Sequence, residues 1–241
     1  MSTKKLNLHG MDRVAFLHIP KTGGTSLTEH LAVHWNCVKI VRDHVELDDK
    51  NDDSLSNITL VAGHFYAYQL NYPILRKFFP ITILRDPISR LLSEYRFAYA
   101  SAERCEPLTF EMQFALKVTF FEYAFSHLGA SGRHAQLFIL GAQAPPFPLV
   151  MVPLKELLTN AKNALETMLV GTTDSLDPFV KRLFEKAGSK APSLPRLNEQ
   201  ANQDDGALTT RQQKALKEIL AADYALLEYG RLKMNRWLDK M

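Results

Sequence analysis

The chain has 241 residues, 46% hydrophobic and 23% charged, with a formal net charge of +3. That balance excludes a disordered or low-complexity protein and is enough for one substantial core. The mild positive excess suits an anionic small ligand, and without a lysine-rich tract or an RNA-binding signature it does not point to nucleic acid. Met1 to Arg13 is polar and lacks the apolar centre of a signal peptide, so residues 1–12 read as a flexible tail. Val14-Ala15-Phe16-Leu17 reads as a buried strand, and a helix is expected from about Thr25 to Trp35.

Between them lies His18-Ile19-Pro20-Lys21-Thr22-Gly23-Gly24-Thr25-Ser26-Leu27. A strand, a glycine-bearing turn and a helix N-terminus form a cradle for an anion. The helix start offers backbone N–H groups and partial positive charge. Gly23 and Gly24 allow close approach of the backbone, Lys21 adds a full charge, and Thr22, Thr25 and Ser26 add hydroxyls. A Walker A loop places its lysine after the glycines. Here Lys21 precedes them, which weakens a kinase or NTPase reading.

Val38 to Asn57 is polar and acidic and reads as a solvated connection. Ile58-Thr59-Leu60-Val61-Ala62 is a further strand, followed at once by Gly63-His64. In a parallel sheet His64 emerges at a strand's carboxyl end, where open α/β sheets bind ligands. Histidine is the side chain best suited to take a hydroxyl proton near neutral pH. His18 reads as shaping the turn, and the remaining histidines have no comparable position.

Ile81-Thr82-Ile83-Leu84 is another strand, ending in Arg85. Asp86 and Pro87 suit the N-cap and first position of a helix to about Ala100, with Ser89 and Ser93 on one face. Arg85 and Ser93 can hold a second phosphate through a forked, charge-assisted grip; a plain salt bridge and a solvated serine are the alternative. Pro107 to His127, rich in Phe and Tyr, reads as a core-facing helix, with an acceptor wall as the second possibility.

Gln136 to Leu154 is apolar but is broken by Pro145, Pro146, Pro148 and Pro153, which excludes a bilayer-spanning helix. Helices are expected over Pro153–Met168 and Asp177–Ala187, with a strand at Met168–Thr173 between them. Ala191 to Gly206 is a long Pro-, Asn- and Asp-rich loop. Thr209 and Gln212 form a capping box that starts a last helical region reaching Trp237. Cys37 and Cys105 alone give neither a disulfide framework nor a metal cluster. No repeat or internal boundary divides the chain, which reads as one domain over 1–241.

The loop His18–Leu27 resembles the 5′-phosphosulfate loop of sulfotransferases that use PAPS (3′-phosphoadenosine 5′-phosphosulfate). Arg85 through Ser93 resembles their 3′-phosphate motif, with Arg and Ser eight apart. The first loop is most similar to the branch of family 2 type that includes heparan sulfate 2-O-sulfotransferases and bacterial relatives. The resemblance implies an α/β, P-loop-like three-layer fold, with a central, mainly parallel sheet flanked by helices. It implies PAPS as donor co-substrate and no metal, with Lys21, Thr22, Gly23, Gly24, Thr25, Ser26, Arg85 and Ser93 binding the nucleotide. It also implies a Gly-His base, which falls on His64. A late basic loop often closes over the nucleotide in this family, and Arg196 is the candidate for that contact, with a mobile surface loop as the alternative.

The expected chemistry is sulfuryl transfer to a hydroxyl of a saccharide or small molecule, with His64 and Lys21 catalytic. Two alternatives stay open: a P-loop-type phosphotransferase using ATP, and a non-catalytic nucleotide-binding protein of the same fold. The animal relatives are Golgi-anchored. Here the absence of a leader-like segment reads as a cytoplasmic protein, with no membrane span and no nucleic-acid partner.

Overall fold

Five short strands, four of them apolar enough to be covered on both faces, build the centre of the molecule. In the computed structural model they are β1 (Val14–Leu17), β2 (Val38–Val41), β3 (Leu60–Gly63), β4 (Phe79–Leu84) and β5 (Leu169–Thr172). The structure describes residues 11–47, 55–143, 152–191 and 208–239. The strands lie in the order β2-β3-β1-β4-β5, and every pairing is parallel. Parallel sheets need both faces covered, which is why β1, β3 and β5 are continuous apolar runs.

Alternation along each strand sends side chains to two separate cores. Ala15, Leu17, Val61, Leu84 and Val170 face one of them, with Leu157, Ala161 and Leu165 of α7 (Leu154–Glu166) and Leu226 and Leu227 of α10 (Ala221–Leu238). Val14, Phe16, Leu60, Ala62, Ile81 and Ile83 face the other. That side is covered by Leu27 and Leu31 of α1 (Gly24–His34) and by Phe179, Val180, Leu183 and Phe184 of α8 (Leu176–Lys186). A third cluster joins α2 (Pro87–Glu103) to α3 (Phe110–Ala115), α4 (Phe120–Phe125) and α9 (Thr210–Ile219) through Leu91, Tyr95, Phe120, Tyr123 and Leu216. Two short helices, α5 (Ala130–Arg133) and α6 (Ala135–Gly141), complete the set.

The three-layer α/β arrangement expected from the sequence is present. Three local expectations differ. The stretch Val38–Asn57 holds edge strand β2, of which only Val41 is buried, Val38 and Lys39 being half-buried and Ile40 exposed, so it leaves little apolar signal. The expected helix over Pro107–His127 is two helices of six residues, because Thr119 caps α4 with its own capping box and stops α3 from continuing. Of the expected tail, Met11 is buried in the α1–α8 core, and its carbonyl accepts from Trp35 Nε1 at 2.8 Å. No helix among the described residues is long and apolar enough to cross a membrane.

The order of strands sets the site. β1 leads through α1 to β2 on one side, whereas β4 leads through α2 towards β5 on the other. Strands β1 and β4 are neighbours whose connections depart in opposite directions, so their carboxyl ends open a crevice.

Candidate active site

Residues Lys21 to Gly24 form the floor of that crevice. Lys21 has φ 69° and Gly23 has φ 77°, while Thr22 between them is not left-handed. Alternating signs of this kind turn successive N–H groups to one side, making a concave nest for an anion. Gly23 meets this demand at no steric cost; Lys21, with a side chain, does not, and it is held there by its surroundings. Arg85 Nη1 donates to the Lys21 carbonyl at 2.9 Å. Gly23 is the N-cap of α1, no side chain caps that helix, and no acidic residue stands in its first turn. Its positive end therefore faces the crevice without a counter-charge of its own.

The expected ligand residues divide. Gly23 and Thr25 are exposed at the crevice. Thr22 is fully buried and its hydroxyl donates to Ile19 O at 2.8 Å, so it shapes the turn. Ser26 is buried, and its carbonyl accepts from His30 Nδ1 at 2.6 Å. Ser93 is half-buried in the second turn of α2. Arg196 lies outside the described residues.

Lys21 reaches over α2. Its Nζ sits 3.9 Å from the centroid of the Phe97 ring, and the Arg104 guanidinium stands 5.7 Å from the same ring. Burial pulls the Lys21 ammonium down to about 8; Glu94 opposes the shift, and Arg85, Arg90 and Arg104 add to it. Burial likewise lowers Arg85, reinforced by Arg90 and Arg96. Lys21 and Arg85 thus each sit among other cations, with Glu94 and Asp86 only partly offsetting them, an arrangement that favours an incoming dianion.

Arg85 is fixed from behind. Gln136, 1% exposed on α6, accepts from Arg85 N at 2.9 Å and donates to Arg85 O at 3.0 Å. Asp86 accepts from Ser89 N at 2.8 Å as the N-cap of α2, and Tyr224 of α10 donates to its other oxygen at 3.0 Å. Arg90, also 1% exposed, donates to Glu94 at 2.7 Å, to Pro20 O at 3.5 Å and to Gly132 O. It ties the anion loop to α2 and α5. The sequence alone gave Arg90 and Phe97 no role; Gln136 stood out only as part of Gly132–Gly141, a segment that faintly resembles one approaching the nucleotide in the family, and had no role of its own. The i,i+4 spacing of Arg90 and Glu94 was a signal for the ion pair; nothing local showed that Gln136 would meet the backbone of Arg85.

On the other side of β1, His64 follows β3 and is exposed. Its backbone N donates to Val41 O at 2.9 Å. Its Nδ1 lies 3.0 Å from His18 O. A carbonyl only accepts, so Nδ1 carries a proton, and in the neutral ring Nε2 is the nitrogen with the lone pair. The fold therefore brings Lys21, His64 and Arg85 to three adjacent strand ends. Among the described residues no group of three or more His, Cys, Asp or Glu side chains could hold a metal ion. A cavity of about 380 Å³, lined by Met11, Asp12, His34 and Lys186 among others, lies at the opposite ends of the strands, away from these side chains.

A model of the Sulfotransferase family matches residues 4–126, just over half of the chain. The chain belongs to the Sulfotransferase family. The matched segment contains Lys21, His64, Arg85 and Ser93, and ends before Gln136. Two relatives from Danio rerio, heparan-sulfate 6-O-sulfotransferases 1-B and 1-A, are each 29% identical, over 119 and 124 residues. These matches cover 39% and 42% of this chain, and the chain spans only 29% and 30% of the relatives' length. A sulfotransferase crystal structure from Alicyclobacillus acidocaldarius superposes with a TM-score of 0.51 at 14% identity, covering 90% of this chain and 94% of that one. That likeness is one of fold.

Proposed function

We propose that this sulfotransferase-family chain moves the sulfuryl group of PAPS to a hydroxyl group of a saccharide. One observation carries the reading: an uncapped helix start with a loop left-handed at Lys21 and Gly23, an exposed His64 whose Nδ1 meets His18 O, and a half-buried Arg85 converge at the carboxyl ends of β1, β3 and β4. The sugar class of the acceptor is supported by the heparan-sulfate names of the two fish relatives.

The roles follow from chemistry. His64 Nε2 takes the acceptor's proton while the new oxygen–sulfur bond forms and the bond from sulfur to the bridging phosphate oxygen breaks. Lys21 and the N–H groups at the start of α1 neutralise the charge that grows on the departing 5′-phosphate. Arg85 grips the 3′-phosphate and, through Lys21 O, links the two phosphate sites. Positioning and pre-arranged charge do most of the work.

The experiment is a radiolabelled PAPS assay of the purified chain against a panel of mono- and oligosaccharides, with phenols as a control class. Label transferred to a sugar hydroxyl supports the proposal; transfer to phenols alone refutes the acceptor class. A thermal-shift comparison tests the donor: stabilisation by Mg-ATP but not by PAP (3′-phosphoadenosine 5′-phosphate) would show the phosphotransferase alternative instead.

A further inference from the structure

His18 sits between the two halves of the site and has no role in the scheme above. Its backbone continues the sheet, with His18 N donating to Gly63 O at 2.9 Å. Its side chain is the middle ring of a stack. The Phe16 ring lies 5.6 Å away at an interplanar angle of 16°, and the His64 ring lies 4.7 Å away at 31°. Its far side abuts Gly24. A Cβ built on Gly24 would lie 1.9 Å from His18 Cδ2 and 2.1 Å from Nε2. Such distances are impossible, so the room occupied by the His18 ring exists because position 24 has no side chain. Gly23 serves the turn; Gly24 serves His18.

Resting on the assignment of His64 as base, we propose that the His18 side chain is a positioning residue. Its ring, wedged between Phe16, Gly24 and His64, holds the His64 imidazole in the one orientation where Nδ1–H meets His18 O and Nε2 keeps its lone pair for the acceptor hydroxyl. A free histidine side chain favours the opposite tautomer, with the proton on Nε2, which cannot take a proton from that nitrogen. Holding the other tautomer needs both the carbonyl and a wall that stops the ring from turning away. The wall must stay uncharged, because His64 becomes an imidazolium when it takes the proton and Lys21 is a second positive charge near enough to act on His18. Burial keeps His18 neutral, with His64 and Lys21 reinforcing the effect and pulling its pKa down to about 3. An aromatic ring that never protonates is therefore suited to the position, and the two ring nitrogens of His18 are dispensable for this role.

The test uses the full chain, ¹⁵N-labelled, as wild type, His18→Ala, His18→Leu and His18→Phe. Long-range ¹H–¹⁵N spectra read the tautomer of neutral His64, PAP titration reads the anion loop, and steady-state sulfuryl transfer reads kcat. Wild type should show Nδ1–H on His64. His18→Ala should mix in the Nε2–H form and lower kcat about 10–100-fold, the cost of a misplaced catalytic group, with PAP affinity held within about threefold. His18→Phe should restore both the spectrum and kcat; His18→Leu replaces His18→Ala in the comparison if the smaller residue does not fold. An unchanged His64 spectrum in His18→Ala, a His18→Phe variant as impaired as His18→Ala, or a fall in PAP affinity parallel to kcat would each overturn the proposal. The spectra respond to His18 whether or not sulfuryl transfer is found, so failure of the positioning role and failure of the proposed activity are separate results.

Discussion

Lys21 makes PAP binding depend on alkaline pH in a way that can be worked out in advance. In the ligand-free protein burial brings its pKa to about 8, with three arginines adding to the effect against Glu94. A bound phosphate supplies the missing counter-charge and returns the ammonium towards the ordinary lysine value of about 10.4. The ligand therefore selects the protonated form, and the apparent Kd scales as one plus ten to the power of pH minus about 8. Below about pH 7.5 affinity is flat. At about pH 9 it is weaker by about tenfold, and the loss levels off well above about pH 10.4 at about 250-fold. Lys21→Arg stays charged throughout, so its curve should remain flat. The sign is reversed for folding: the ligand-free protein carries the penalty of a buried ammonium fully below about pH 8 and loses it as pH rises towards 10.5. Lys21→Met should accordingly raise the Tm of the ligand-free protein at neutral pH while reducing the gain on adding PAP. The assay is isothermal titration of PAP from pH 7 to 9.5 at constant ionic strength. A flat wild-type curve, or an equal fall in Lys21→Arg, would show that Lys21 does not contact the nucleotide phosphates.

Four further outcomes are expected. His64→Ala should lower kcat by about 10²–10⁴-fold, the usual worth of a general base, with PAP affinity nearly unchanged; a collapse of PAP affinity would make His64 structural. Arg85→Ala should weaken PAP by about 10–100-fold through a lost charge-assisted contact, and adenosine 5′-phosphosulfate by less. Some loss for that second ligand is expected because Arg85 also holds Lys21 O, and equal losses would refute a 3′-phosphate role. Arg90→Met leaves Glu94 with only the Tyr123 hydroxyl, removes the donor to the Pro20 and Gly132 carbonyls, and should cost about 2–4 kcal/mol, a fall in Tm of about 5–15 °C by calorimetry; an unchanged Tm would mean the pair is dispensable. Gln136→Leu strands two backbone groups of Arg85 and should cost about 1–3 kcal/mol while weakening PAP several-fold, whereas a PAP titration matching wild type would show that Arg85 is held without it.

Strand periodicity and helix caps made most of the architecture legible from the chain alone. Val14–Leu17, Leu60–Gly63, Phe79–Leu84 and Leu169–Thr172 are buried on both faces, and such runs cannot be anything but core. Asp86-Pro87 and Thr209-Gln212 start their helices by local chemistry that needs no partner. Strand β2 escaped because an edge strand buries only part of itself: Lys39 and Ile40 look like loop residues until β3 is beside them. The order of the strands, and with it the adjacency of β1 and β4, is a property of long-range pairing that no local pattern in this sequence encodes.

The candidate site divides along the same line. That Lys21, Gly23, His64 and Arg85 lie at carboxyl ends of strands was legible because each follows an apolar run, and such ends in an open sheet are places where ligands bind. What holds them was not. Arg85 depends on Gln136, fifty-one residues away; Lys21 lies over Phe97; and the orientation of His64 depends on the carbonyl and ring of His18, forty-six residues earlier. A residue that binds a ligand can be recognised by its own chemistry. A residue that supports it has ordinary chemistry, and only its neighbours across the fold reveal what it does. Thr22 shows how the same residue type can serve the loop itself: beside a lysine and two glycines its hydroxyl reads as a ligand, and in the fold its proton goes to Ile19 O within the turn.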